Sequence, residues 1–384
     1  MSKTHQIALD GEVNANSVET VYVALELSRK NWKLGFSDGK HRQVRMVTIR
    51  AQDWEKLQRE LQRAREGFGL GTETRVASCY EIGREGFWLH RALVSRGIEN
   101  VVVDASSIEV NRRDRRAKTD RMDAEKLVGQ LIRYKAGEQR VWSVVRVPEE
   151  EAEDARQRHR DIEVLKRERR QHRVRMQSLL FAQGIDMRVG ARFPEKLAKL
   201  RLWNGRPVPE QLQQRLLREH ERLKNVERSL RELERQQQEK LQTDRSAVMD
   251  KIRRLQQLRA IGMASSWVFV MEIFGWRQFR NRREVAGAIG ITPTPYQSGE
   301  RDREQGISHS GNRRARSMAV EIAWSWLRLQ PQSELSRWYV KRFGRGGIRM
   351  RKVGIVAMAR RLMIDLWRYL EQGVVPAGAR LKAC

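Results

Sequence analysis

Cysteine is nearly missing from this 384-residue chain, which has only Cys79 and Cys384. Two distant thiols exclude a disulfide framework and a CxxC metal site, and they fit a reducing compartment. Long apolar runs are missing as well. No stretch approaches the ~20 residues that span a bilayer, and the run at 353–359 is too short. No signal-like apolar core follows Met1-Ser2-Lys3-Thr4-His5-Gln6. A GxxxxGK[ST] sequence is absent too, which excludes a P-loop. Acid is scarce relative to base: 77 Lys and Arg face 48 Asp and Glu, for a formal charge of +29 and a pI of about 11.0. The expected partner is a large polyanion, nucleic acid first, with no membrane, in the cytoplasm and at the nucleoid.

What is present falls into regions of different character. Residues 1–19 form a leader with no recognisable pattern. From 20 to 147, short apolar runs predict strands over 22–27, 32–36, 44–49, 76–80 and 101–103, with helices near 54–65 and 87–96. This is an α/β pattern with a central mixed sheet. From 148 to 250 the chain turns to Arg, Glu, Gln and Leu, which predicts helices. Leu216, Leu223, Val226, Leu230 and Leu233 are spaced by one heptad and then by threes and fours, as on a coiled-coil seam. That seam fits a helix packed on its own domain, self-association, or an antiparallel hairpin with 151–180. The Pro- and Gly-containing stretches Phe193-Pro194 and Trp203-Asn204-Gly205-Arg206-Pro207-Val208-Pro209 read as the hairpin tip or a linker. Residues 251–384 form the last unit. It opens on Leu255-Gln256-Gln257-Leu258-Arg259-Ala260-Ile261-Gly262-Met263, a helix-hairpin-helix-like start.

Four carboxylates carry the first chemical signal. In Lys118-Thr119-Asp120-Arg121-Met122-Asp123-Ala124 the two aspartates are three apart, which a helix places side by side and a strand does not. Glu26 and Glu81 close two apolar runs, Val21-Tyr22-Val23-Ala24-Leu25-Glu26-Leu27 and Val76-Ala77-Ser78-Cys79-Tyr80-Glu81. An ionised acid in such a run needs a cation, a hydrogen-bond network or water. Oxygen-only ligands favour Mg²⁺ or Mn²⁺ over zinc. The same residues also fit a plainer role, with the aspartates favouring a helix N-terminus and Glu81 capping a turn.

The second signal lies near the other end. Ser298, followed by glycine in what reads as a polar, basic loop, is a possible nucleophile. Attack on phosphorus needs a base or metal to take its proton and cations to balance the phosphate. Arg301, Arg303, Arg313, Arg314 and Arg316 are candidates for those cations and for nucleic-acid binding. Ser-Gly is also a common turn pair, and that reading covers Ser308 and Ser310 as well. Trp276, Trp324, Trp326 and Trp338 offer stacking surfaces for bases, although the spacing around 323–327 favours core packing.

Across 21–382 the motifs, in their order and spacing, resemble those of DEDD transposases of bacterial insertion sequences (the insertion-sequence-110 family, 1111-like group), related to Piv-type DNA invertases. They run from Ala24-Leu25-Glu26-Leu27-Ser28 through Cys79-Tyr80-Glu81-Ile82-Gly83 and the aspartate pair. They continue to Tyr296-Gln297-Ser298-Gly299-Glu300, Gly311-Asn312-Arg313-Arg314 and Leu366-Trp367-Arg368-Tyr369. The resemblance implies an RNase H-like (RuvC-like) N-terminal domain, a helical coiled-coil region and a mainly α-helical C-terminal transposase domain. It implies that Glu26, Glu81, Asp120 and Asp123 bind metal and that Ser298 bonds covalently to DNA as phosphoserine. It further implies donor and target DNA as partners, a noncoding bridge RNA as guide, and a homo-oligomer: a dimer, and a tetramer in the synaptic complex. The family's first acid is usually Asp where this chain has Glu26, one methylene longer.

Two other functions fit the same residues. A RuvC-like metal-dependent junction-resolving nuclease would use water and leave Ser298 structural, whereas a DNA invertase would share the architecture and invert rather than insert. A non-catalytic nucleic-acid-binding protein would need only the positive charge.

Overall fold

The five apolar runs of the N-terminal part become one sheet. The structure, a computed structural model, describes residues 19–41, 43–104, 107–108, 120–298 and 301–382, with backbone alone at 120–122, 294–298 and 301–305. The strands are β1 (Thr20–Leu27), β2 (Asn31–Ser37), β3 (Arg45–Arg50), β4 (Arg75–Glu81) and β5 (Glu99–Val103), in the order β3-β2-β1-β4-β5. β1, β2 and β3 pair antiparallel, whereas β1–β4 and β4–β5 pair parallel. Each parallel step needs a crossover, and α1 (Trp54–Gly67) and α2 (Trp88–Val94) supply them. Asp53 starts α1 by accepting the amide of Lys56 at 2.9 Å. Leu57, Leu61 and Ala64 then fall on one buried stripe.

Alternation along the strands divides the two faces. Val21, Val23 and Leu25 join Trp32, Leu34 and Phe36 in a core with α1 and α2 residues. Ala24, Cys79 and Val103 point to the other face, where α3 (Asp120–Lys135) packs with Leu127, Val128 and Leu131. The N-terminal unit is therefore a mixed α/β sandwich, and it ends at Val147.

The rest of the chain forms a second compact unit, mainly helical. It opens with two long helices, α4 (Glu150–Phe181) and α6 (Glu210–Thr243), with short α5 (Phe193–Lys199) at their tip. Pro194 stands in the first turn of α5, where its missing N–H costs nothing. α4 and α6 run antiparallel, joined by Arg173–Glu227 at 2.6 Å and Lys166–Glu234 at 2.9 Å. Glu219, nearly buried, accepts from His172 Nδ1 at 2.7 Å and from the Arg175 guanidinium. Leu216 and Leu223 pack with Met176 and Leu180 of α4. The heptad seam thus closes within one chain, as the antiparallel hairpin.

After the hairpin come α7 (Ala247–Gln257), α8 (Met263–Phe269), a π-helical turn (Val270–Phe274) and α9 (Arg282–Ala288). A two-stranded ribbon follows, β6 (Pro293–Ser298) and β7 (Arg301–Ile307), and then α10 (Arg313–Leu329), α11 (Glu334–Phe343) and α12 (Ile348–Gln372). These helices share one core. Trp326 lies in it and donates Nε1–H to Ser333 Oγ at 3.0 Å. Trp324, two residues away, is 47 % exposed. No helix among the described residues is long and apolar enough to cross a membrane.

Candidate functional site

Strand register decides where the N-terminal acids lie. Leu25 of β1 pairs with Tyr80 of β4, so Glu26 and Glu81, one residue further along parallel strands, end side by side at the same edge of the sheet. The period of two puts Glu26 on the face of Tyr22 and Ala24, and Glu81 on the face of Cys79. Both of those faces are covered by α3.

The direction of α3 brings its aspartates to the same edge. Lys135, its last residue, pairs with Glu99 at the start of β5, so α3 runs antiparallel to the parallel strands. Midway, the Cys79 thiol lies 3.8 Å from the Leu127 carbonyl oxygen. From Leu127 back to Asp123 the helix rises ~6 Å, and from Cys79 on to Glu81 the strand rises ~6.6 Å. Asp123 and Glu81 therefore sit at matching heights. Asp120 opens the helix one turn beyond, with its side chain outside the described residues. The positive end of the α3 dipole faces this edge and favours ionised acids there.

Glu26 and Asp123 are half-buried and Glu81 is exposed. Glu26 also stands opposite Lys33 in the antiparallel register, a cross-strand pairing of opposite charges worth ~0.2–1 kcal/mol. Among the described residues, no three His, Cys, Asp or Glu side chains gather closely enough to hold a metal ion. Burial pushes the Cys79 thiol far up, so it offers neither a thiolate ligand nor a nucleophile.

Ser298 lies at the end of a strand, not in an open loop. Its backbone pairs with Arg301 across the ribbon, and Gly299 and Glu300 between them lie outside the described residues. The prolines at 293 and 295 read as loop formers, yet a two-stranded ribbon tolerates residues that cannot donate, and its register shifts between them. The side chains of Ser298, Arg301 and Arg303 are outside the described residues.

The root of the ribbon is tightly fixed. Ser308 N–H donates to Thr292 O at 2.9 Å, His309 N–H to Gly290 O at 3.2 Å, and Asn312 N–H to Ala288 O at 2.8 Å. Gly290 has φ +68°, and a Cβ there would meet Ser310 O at 1.6 Å, so only glycine fits. Arg316, a candidate for nucleic-acid contact, instead donates from Nη1 to the carbonyls of Ile289 at 3.1 Å and His309 at 3.0 Å. Arg314 pairs with Glu163 of α4 at 2.9 Å. Arg313 is exposed.

Beneath the ribbon is a polar node with no counterpart in the expectations from sequence. Glu272, in the π-helical turn, is fully buried. Its Oε1 accepts from His159 Nε2 at 2.9 Å and Arg160 Nε at 2.8 Å. Its Oε2 accepts from Arg160 Nη2 at 2.8 Å and Asn312 Nδ2 at 2.7 Å. Burial pushes this carboxyl upward, but the hydrogen bonds from His159 and Arg160 and the guanidinium charge outweigh it and hold it far below the usual carboxylate range. Asn312 Oδ1 meanwhile caps α10 by accepting the Ala315 amide at 3.0 Å. One carboxylate thus ties α4, the π-helical turn and α10 to the root of the ribbon. The signal was present in sequence: Glu272 is a lone acid in an apolar run, as Glu26 is.

Residues 252–337, which hold Glu272, Ser298 and Asn312, match a family model described as transposase, IS116/IS110/IS902 family. Over 380 residues the chain is 39 % identical to y4rJ of Sinorhizobium fredii, described as a transposase, with 94 % of each protein covered. It is 29 % identical over 259 residues to y4qE of the same organism, also described as a transposase, covering 65 % of this chain and 58 % of that one. With the transposase for insertion sequence element IS1328 of Yersinia enterocolitica it shares 26 % over 219 residues, covering 56 % and 63 %.

Proposed function

Because the chain belongs to the IS116/IS110/IS902 family of transposases, we propose that it cuts and rejoins DNA of an insertion sequence through Ser298, assisted by a divalent cation and guided by a bridge RNA. The observation that supports this reading is that the strand ends carrying Glu26 and Glu81 and the first turn of α3, which carries Asp120 and Asp123, lie at the same end of a sheet ordered β3-β2-β1-β4-β5. Three antiparallel strands followed by two parallel ones, with acids ending the first and fourth, support the RNase H-like assignment.

The donor set suits the cation in kind: four carboxylates without nitrogen or sulfur fit Mg²⁺ or Mn²⁺. When bound there, such an ion supplies charge to polarise a phosphate oxygen and orient the scissile group. The chain's own groups do the rest. The Ser298 oxygen forms the bond to phosphorus, its proton passes to a base or solvent, and the departing DNA oxygen leaves as a hydroxyl end. Phosphoserine conserves the phosphodiester's energy, so religation to a new strand reverses the step and needs no ATP. Arg301, Arg303 and Arg313 are the candidate phosphate partners, whereas Arg314 and Arg316 have protein partners in the structure. Oligomers in which acids of one copy meet the serine of another complete the proposal.

The test begins with the protein expressed beside its native flanking DNA and purified through a high-salt wash. Sequencing the retained RNA is expected to yield one discrete species complementary to element ends and insertion site. On substrates defined by it, wild type forms a denaturation-resistant protein–DNA adduct that Ser298→Ala lacks while still binding nucleic acid. An adduct that persists in Ser298→Ala rules out this serine. Cleavage surviving Ser298→Ala but lost in Asp120→Ala assigns a water-using nuclease.

A further inference from the structure

The tip of the long hairpin contains a cavity of about 210 Å³ between α6, α4 and residues 189–191. That is below the roughly 300 Å³ at which sites for whole small molecules begin, so it suits one group of a larger ligand. Four cationic side chains line it, Arg173 from α4 and Lys224, Arg228 and Arg231 from α6, against a single carboxylate, Glu227. Glu227 is taken by Arg173.

The α6 cations are spaced i, i+4 and i+7, so they share one face and extend ~10 Å along it. Their charges are little used within the chain. Arg228 donates to the neutral Asn225 Oδ1 at 3.0 Å, Lys224 reaches Glu221 only at 3.4 Å, and Arg231 has no hydrogen-bond or ion-pair partner among the described residues. The floor is ordered. His220, 3 % exposed, lies 3.2 Å through Nε2 from Gly190 O and packs its ring on Phe193 at 5.2 Å. Gly190 and Ala191 complete the lining at the rim.

We propose that this cavity is a phosphodiester-binding site, where Lys224, Arg228 and Arg231 hold consecutive phosphates of a bound nucleic-acid strand. A row of cations ~10 Å long spans about three steps of 3.4 Å along a strand. The role requires only that the protein handle nucleic acid, whatever its nucleophile.

The full-length protein is titrated with labelled oligonucleotides of about 20 nucleotides, longer than a typical single-strand site, as RNA, single-stranded DNA and duplex DNA, over a series of KCl concentrations. The double variant Arg228→Gln/Arg231→Gln removes two exposed side chains and leaves the hairpin core intact. The slope of log affinity against log salt is expected to fall by about 1.4 for a single strand or about 1.8 for a duplex, for two lost contacts. A fall confined to RNA assigns the cavity to RNA, and a fall with either DNA form assigns it to DNA. An unchanged slope with all three ligands overturns the proposal. So does an equal fall in Arg215→Gln/Arg218→Gln, exposed on α6 outside the cavity, because bulk charge alone would then account for the effect.

Discussion

The two units hold acids in apolar surroundings and treat them in opposite ways. In the C-terminal unit Glu272 is buried, and four donors from His159, Arg160 and Asn312 occupy its oxygens. In the N-terminal unit Glu26 and Asp123 are half-buried and Glu81 is exposed, at two strand ends and a helix start. A carboxylate accepts about four hydrogen bonds, so Glu272 has no capacity left for a cation and acts as a strut. Glu26, Glu81 and Asp123, near the ends of two strands and at the start of a helix, stay partly open to solvent. An isolated acid in an apolar run is therefore a reliable sign of a partner and a poor sign of which partner.

Four measurements sharpen or break this contrast. Asp123→Ala should cost the fold about 1 kcal/mol, as its place in the first turn of α3 implies, while removing the several kcal/mol of metal assistance proposed for it, a loss of strand transfer on the order of 10³-fold. Retained activity would place Asp123 with the struts. Glu272→Ala should do the reverse, lowering unfolding free energy by about 3 kcal/mol in denaturant titrations, because it strands the buried His159 and the half-buried Arg160. A smaller loss would mean that water enters the node.

The pH dependence of stability separates the charge of Glu272 from its shape. Its folded pKa is depressed, so its contribution is fully present above the unfolded value of about 4.3 and is lost as pH falls from there toward the folded value. Wild type should lose stability over that acid range more steeply than Glu272→Gln, and parallel curves would contradict the depressed pKa. Least of all, Arg133→Ala, which removes the exposed Arg133–Glu138 pair on the α3 side, should cost under about 1 kcal/mol.

The sheet was largely legible because its strands are apolar runs with clear ends, and the expected boundaries fall within one or two residues of those observed. The aspartate spacing likewise announced the start of α3. The ribbon carrying Ser298 was not legible, since Pro293 and Pro295 signal a loop and only pairing with β7 makes a strand of that segment. Glu272 was missed because its partners come from 112 residues before it and 40 after it, a convergence that no local pattern records. The leucine seam was legible as a seam, but its partner was not: α4 offers Met176 and Leu180 among many charges.

The continuity of α4 has a mechanical consequence. One unbroken helix carries Arg160, locked onto Glu272 beneath the ribbon, and Arg173, on the wall of the cationic cavity. Thirteen residues of α-helix span ~20 Å, and the ion pairs to α6 stiffen that span against bending. The hairpin is therefore a ruler: a strand bound at the proposed site is held at a set stand-off from the root of the ribbon, and inserting or deleting about seven residues, two helical turns, in α4 and α6 together would change that reach while keeping their register.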